Sequence, residues 1–304
     1  MRAQLNFKWI LGIMLISLCS TVFGQDVTEN TLQDQLYKEY KANGIEQSLK
    51  TYQKLNTDKE YNGFQEPLNM LGYKLMLEDK DLEAAKKVFE AQIAEYSNEA
   101  NPYDSYADVL LAMGNKAEAK KNLQKSIDIA KKSDTDLDQQ IYRASKAKLA
   151  KLENKHRMFE FMDGKHDVEI SNYDEGKVTN KNKFHSIASF DESGNILTVN
   201  FTNQDNNSIG KRSVVYDAVE DQYDMAFLNT TDPLGIRMSH VKVKDLGNNK
   251  VELMESYVDR KGKAHSVKHE ITKSNGSVEW VIFEQDDVSK NWEKATVQNF
   301  NKSK

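Results

Sequence analysis

Apolar positions recur with helical spacing from about Asn30 to Asn154, with no strand-like alternation. Pro67 and Pro102 fall where helices should begin, because the missing N–H costs nothing in a helix's first turn. Ala85, Phe89 and Ile93 recur as Ala119, Leu123 and Ile127, each 34 residues on. Pro67 and Pro102, like Gly72 and Ala107, are 35 apart, which puts one extra residue in the loop around Glu78 to Asp81. A period of this length predicts an array of paired helices, in which small residues let neighbours approach and large ones fill the next groove.

Leu71, Gly72, Leu75, Ala85 and Phe89 make one unit on this reading, and Tyr106, Ala107, Leu110, Gly114, Ala119 and Leu123 the next. Tyr37, Tyr40, Gly44, Ser48 and Tyr52 form a degenerate first unit. Asp136 to Glu153, with Leu137, Ile141, Leu149 and Leu152 on one stripe, is expected to cap the open end.

After Lys155 the period changes. Ten short runs bounded by turn residues read as strands: His166–Asn172, Phe184–Phe190, Ile196–Thr202, Ser213–Val219, Tyr223–Leu228, Ile236–Val243, Val251–Val258, His265–Thr272, Val278–Phe283 and Trp292–Phe300. Ten strands with no helix between them predict an antiparallel meander, closed into a barrel to remove its edges. The fold class is therefore α + β multidomain, with a helical array over 25–154 and a β-barrel over 155–304. Leu197, Val199 and Phe201, Tyr223, Met225 and Phe227, and Val278, Trp280 and Ile282 are the expected barrel interior, as packed core or as the wall of a small apolar pocket.

The first 24 residues read differently. Arg2 and Lys8 precede an apolar run from Trp9 to Leu18, too short to span a bilayer, and then Val22 and Gly24 stand at positions suited to cleavage before Gln25. A signal peptide is expected, with a periplasmic or secreted destination. Leu18 ahead of Cys19 does not fit a lipid-attachment site. Losing Arg2 and Lys8 takes the basic residues from 42 to 40 against 47 acidic, a net charge of −7, and removes the single cysteine. Disulfides and thiol chemistry are excluded in the mature chain, and an acidic balance without a basic stripe argues against nucleic acid and stable membrane insertion.

Motifs of known chemistry are few. No phosphate-binding glycine loop, His-Glu-x-x-His or Gly-x-Ser-x-Gly occurs. Ser-x-x-Lys occurs at Ser145/Lys148 and Ser208/Lys211, without the companion motifs of a hydrolase. His265 and His269 share a strand face but stand too far apart to chelate one ion, while His166, His185 and His240 could approach one another in a closed barrel. No cofactor, metal or catalytic residue is expected.

Leu68-Asn69-Met70-Leu71-Gly72-Tyr73, Ala84-Ala85-Lys86-Lys87-Val88-Phe89 and Asn101-Pro102-Tyr103-Asp104-Ser105-Tyr106-Ala107-Asp108 together resemble the tetratricopeptide module of exported bacterial proteins, often found behind a β-lactamase-type hydrolase. The resemblance covers roughly residues 42 to 130 and implies a protein-interaction role. It does not imply the hydrolase activity, since only a short mature stretch precedes it. It places a concave groove at Glu66, Asn69, Tyr73, Met76, Asn101, Asp104, Asp108 and Leu111, whose three acids without Lys or Arg imply a basic or mixed partner surface, or a merely solvated face.

Phe159 to Val168, a Tyr216-Asp217 strand, the Asp259 to Gly262 hairpin and a closing Trp292 strand resemble calycin-like or lipocalin-like barrels, in particular an uncharacterised bacterial family. Lipocalins carry tryptophan where His166 stands. The reading that follows is an exported, non-catalytic binding protein, its helical groove docking a protein and its barrel serving recognition or structure. One alternative is a carrier of a small apolar, lipid-like ligand in the barrel. A second is an unrecognised hydrolase-associated enzyme.

Overall fold

The computed structural model of the protein describes residues 31–57, 60–229, 236–259, 261–285 and 290–303. The expected signal peptide lies outside them. Contacts divide the chain into two compact units, Met1–Glu60 and Tyr61–Lys304.

In the first unit, α1 (Leu32–Asn43) and α2 (Ile45–Leu55) are joined by Gly44 alone. Thr31 caps α1 by accepting from the Asp34 amide at 3.2 Å. Gly44 sits at φ +84°, a left-handed value that a side chain would resist. The buried Ser48 hydroxyl donates to the Leu36 carbonyl at 2.8 Å, so the two helices are tied as well as packed.

The second unit opens with α3 (Pro67–Lys74), α4 (Leu82–Glu95), α5 (Ala100–Ala112), α6 (Lys116–Ala130) and α7 (Asp136–Leu152), each packed on the next in sequence. Asp81 and Asn115 cap α4 and α6 through the amides of Ala84 and Glu118, in equivalent positions of the two sequence units. Gly72 is required by packing: a Cβ there would lie 2.5 Å from the fully buried Phe89 ring. Ala107, Leu110, Ala119 and Leu123 form one core cluster, as the repeated small and large positions imply. The extra residue of the repeat from Leu71 to Phe89 is absorbed slightly upstream of the expected loop. Leu75–Asp79 forms a π-turn at the end of α3, where one added residue fits without breaking the helix.

A closed antiparallel barrel of ten strands follows: β1 (Gly164–Asp174), β2 (Lys177–Phe190), β3 (Ile196–Thr202), β4 (Ser208–Asp217), β5 (Gln222–Asn229), β6 (Ile236–Gly247), β7 (Lys250–Val258), β8 (Ala264–Ser274), β9 (Ser277–Gln285) and β10 (Trp292–Lys302). Neighbours in sequence are neighbours in the sheet, and β1 closes on β10 with Val168 opposite Phe300. Burial alternates clearly along β3, where Leu197, Val199 and Phe201 are buried and their neighbours are not. The β6–β7 hairpin turns through Asn248 and Asn249, both left-handed, the conformation that lets a tight turn follow the strand twist.

Helical and strand textures change between Leu152 and Gly164, near the expected boundary, but the division by contacts falls between Glu60 and Tyr61. The connecting segment explains why α3–α7 and the barrel form one unit. Phe159 and Met162 are 2% exposed and belong to the barrel's own core, with Met158 and Phe161 packed against it.

A candidate ligand-binding cavity in the barrel

All nine expected interior residues face inward. Leu197, Val199, Phe201, Tyr223, Met225, Val278 and Trp280 are buried in the barrel core, and Phe227 and Ile282 pack against it. The interior is filled at one end and hollow toward the other. At the filled end the connecting segment acts as a plug: the Phe159 ring lies 5.0 Å from that of Tyr223, edge on, and 6.2 Å from that of Trp280, stacked. The Tyr223 hydroxyl donates to the Lys155 carbonyl, and Lys155 pairs with Asp221 at 2.8 Å in the β4–β5 turn. An aromatic plug of this kind removes several large side chains from water and fixes the floor of what lies above it.

Beyond Trp280 is a cavity of about 150 Å³. Its apolar wall comprises Met225, Phe227, Val241, Leu253, Val267, Trp280 and Ile282; its polar wall comprises Arg212, Arg237, Ser239, Glu255, Tyr257, His269, Glu284, Thr296 and Gln298. Arg237 and Glu284 are exposed and mark the open side, while Glu255 and His269 are buried.

A chain of hydrogen bonds crosses this wall. Trp280 Nε1 donates to His269 Nδ1 at 2.9 Å, and His269 Nε2 lies 2.9 Å from Glu255 Oε2. An indole nitrogen only donates, so His269 Nδ1 must carry its lone pair and Nε2 its proton, which is given to Glu255. The other carboxylate oxygen faces Arg237 at 3.5 Å. Burial by itself would raise the Glu255 carboxyl, but hydrogen bonds from His269 and Ser239, with the Arg237 charge, hold it well below the usual carboxylate range. Glu255 is therefore a satisfied anion.

Arg212 is placed differently. It sits on β4 opposite Val199 and Phe227, and its guanidinium lies 5.8 Å from the ring of Phe201, 5.6 Å from Phe227 and 5.9 Å from Trp280. Gly210, two residues earlier on the same face, makes room for this arrangement, since a Cβ there would meet the Phe227 ring at 2.9 Å. Ring faces favour a cation but accept no strong N–H bond. Burial draws the Arg212 guanidinium below its ordinary value. Strand reading alone started β4 at Ser213, so Arg212 fell outside it. The signal was parity: Arg212 shares its face with the buried Gly210 and Val214, as Glu255 shares its face with Leu253.

Most of the expected groove positions are closed rather than open. Glu66, Asn69, Met76, Asn101, Asp104 and Asp108 are buried, and Tyr73 and Leu111 are half-buried. They form a polar ladder of their own. Tyr96 donates to Glu66, Asn101 and Ser105 donate to Asn69 Oδ1, and Tyr73 donates to Asp108 at 2.8 Å. The basic partner of the acids is internal: Lys148 of α7 reaches Asp104 at 2.8 Å and Asp108 at 2.7 Å. Burial disfavours the Lys148 charge, but Asp104 and Asp108 outweigh it and raise the ammonium above its ordinary value. A solvated acidic face is thus corrected to a buried ion cluster, because the capping helix folds its lysine onto it.

The same cluster accounts for Ser145-x-x-Lys148. Ser145 is fully buried and donates to Asp104 at 2.6 Å, so serine and lysine serve one carboxylate. Other candidates do not converge. His185 pairs with Asp167 and His240 with Asp224 across neighbouring strands on the outer face, while His166 points inward. His265 stacks on Tyr257 and bonds to Asp259. Among the described residues no cluster of His, Cys, Asp or Glu could hold a metal ion, and no helix is long and apolar enough to cross a membrane.

No family model and no curated protein matches the sequence. Among solved structures, the chain is similar to the crystal structure of Rv2717c from M. tuberculosis, at 10% identity over 49% of this chain and 96% of that one, with a TM-score of 0.32. It is also similar to the structure of EF1p2_mFAP2b bound to DFHBI, at 8% identity over 49% of this chain and 98% of that one, with a TM-score of 0.24.

Proposed function

We propose that this protein is an exported, non-catalytic receptor that holds one small ligand in its barrel, above the Phe159 plug. The cavity of about 150 Å³ between Trp280 and the open side carries this reading, because it joins an apolar wall to a few placed polar groups, as small-molecule sites do. Its size suits a ligand of a few ring or chain atoms rather than a whole lipid. The tetratricopeptide-like helices are the interaction module in this reading, but a partner would meet faces other than the Asp104/Asp108 positions, which Lys148 already occupies.

Native mass spectrometry of the protein purified from its own cells should detect a co-purified small molecule, and Val267→Trp, which fills the cavity from β8, should lose it while keeping the β circular dichroism spectrum. Retention of the molecule by the filled variant would place the ligand elsewhere. N-terminal sequencing of the same sample should begin at Gln25; a chain that starts at Met1 would remove export from the proposal.

A further inference from the structure

Arg212 poses a problem that the protein itself does not solve. A guanidinium offers five N–H donors, yet among the described residues Arg212 makes no hydrogen bond or ion pair, only contacts with three ring faces. Glu255, the buried acid of the cavity, is held by His269 and Arg237, with Trp280 fixing the histidine that holds it. Glu284, the other acid on the wall, is exposed at the rim. Arg212 is half-buried on the wall of the open cavity, so its N–H groups are left to whatever enters there, and an anion that does gains donors that no acceptor among the described residues takes.

Resting on the reading of the barrel as a receptor, we infer that its ligand is a small monocarboxylate with an apolar body, its carboxylate seated on Arg212. The planar fork of the guanidinium matches a carboxylate through two parallel N–H bonds. The apolar remainder lies against Phe227 and Trp280, and the half-exposed Arg237, stacked 4.9 Å from the Tyr257 ring, draws the anion in from the open side. The His269–Glu255 pair has a clear part: by holding Glu255 it keeps that carboxylate out of ion-pair reach of Arg212, which feels only its longer-range attraction and keeps its donors for the ligand.

Isothermal titration of the full mature chain at low salt with benzoate, benzamide and benzene separates the two levels of this reading. Benzoate should bind at least about tenfold more tightly than its neutral isostere benzamide. Arg212→Leu should abolish that preference while its melting temperature holds or rises, and Arg212→Gln serves the same purpose should the leucine variant misfold. Benzamide or benzene binding as well as benzoate, or a benzoate preference that survives both Arg212 variants, would overturn the anionic ligand and leave the receptor standing. Failure of all three probes to bind the wild type would remove the receptor and the inference with it.

Discussion

Two inward-facing charge clusters of this molecule end in opposite states. In the helices, Asp104 and Asp108 meet Lys148, Ser145 and Tyr73, so that every group has a partner from another helix. In the barrel, Glu255 is as fully served, but Arg212 makes no hydrogen bond or ion pair among the described residues and is left with aromatic faces and the longer-range pull of Glu255. The contrast teaches how to read buried charge. A cluster that balances itself is part of the architecture; a charge left over beside a cavity points to something that comes and goes.

Deleting the cation from each cluster tests this contrast most directly. Lys148→Met should cost about 3–5 kcal/mol in urea denaturation, because it strands two carboxylates in the helical core. A loss below about 1 kcal/mol would mean the acids escape to water and the cluster is not structural. Phe159→Ala should cost about 3 kcal/mol and extend the cavity toward the plug, admitting probes longer than a single ring. Should stability fall without any change in the size of molecule bound, the plug would not be the cavity's floor.

Glu255 gives a smaller effect, visible in acid. Its folded value lies below the unfolded one, so its contribution is present above the ordinary carboxylate range near pH ~4.3 and is lost as pH falls through the depressed folded value. Wild type should therefore lose about 1–2 kcal/mol below pH ~4.3 that Glu255→Gln does not, and parallel pH profiles would show that the carboxylate is not held as drawn. The smallest effect is expected at Arg212. Arg212→Leu removes a cation that has no hydrogen-bond or ion-pair partner among the described residues, only the longer-range attraction of Glu255, and stability should stay within about 1 kcal/mol of wild type or rise. A large loss would show that Arg212, like Lys148, belongs to the architecture.

Much of the fold was legible because it rests on local periodicity. The strand stripes Leu197/Val199/Phe201 and Val278/Trp280/Ile282, the turn residues between strands, and the small positions Gly72 and Ala107 each announce themselves within a few residues. Less of the site was legible. The apolar wall residues were readable as inward stripes, but Arg212 lay beyond the inferred start of β4, and Glu255 and His269 gave no local sign that they would bond across β7 and β8.

The sequence by itself thus determined the kinds of element and which face of each is apolar, since side-chain period follows from backbone geometry alone. Tertiary structure decided the partners of the charges. Asp104 and Lys148 are far apart in the chain, and only the packing of α7 against α5 brings them within 2.8 Å. Only the closed barrel puts Arg212 beside Trp280 and commits Glu255 to His269. A charge's energy depends on what surrounds it within a few ångströms, and that neighbourhood is set by packing between distant segments, which period and spacing do not encode.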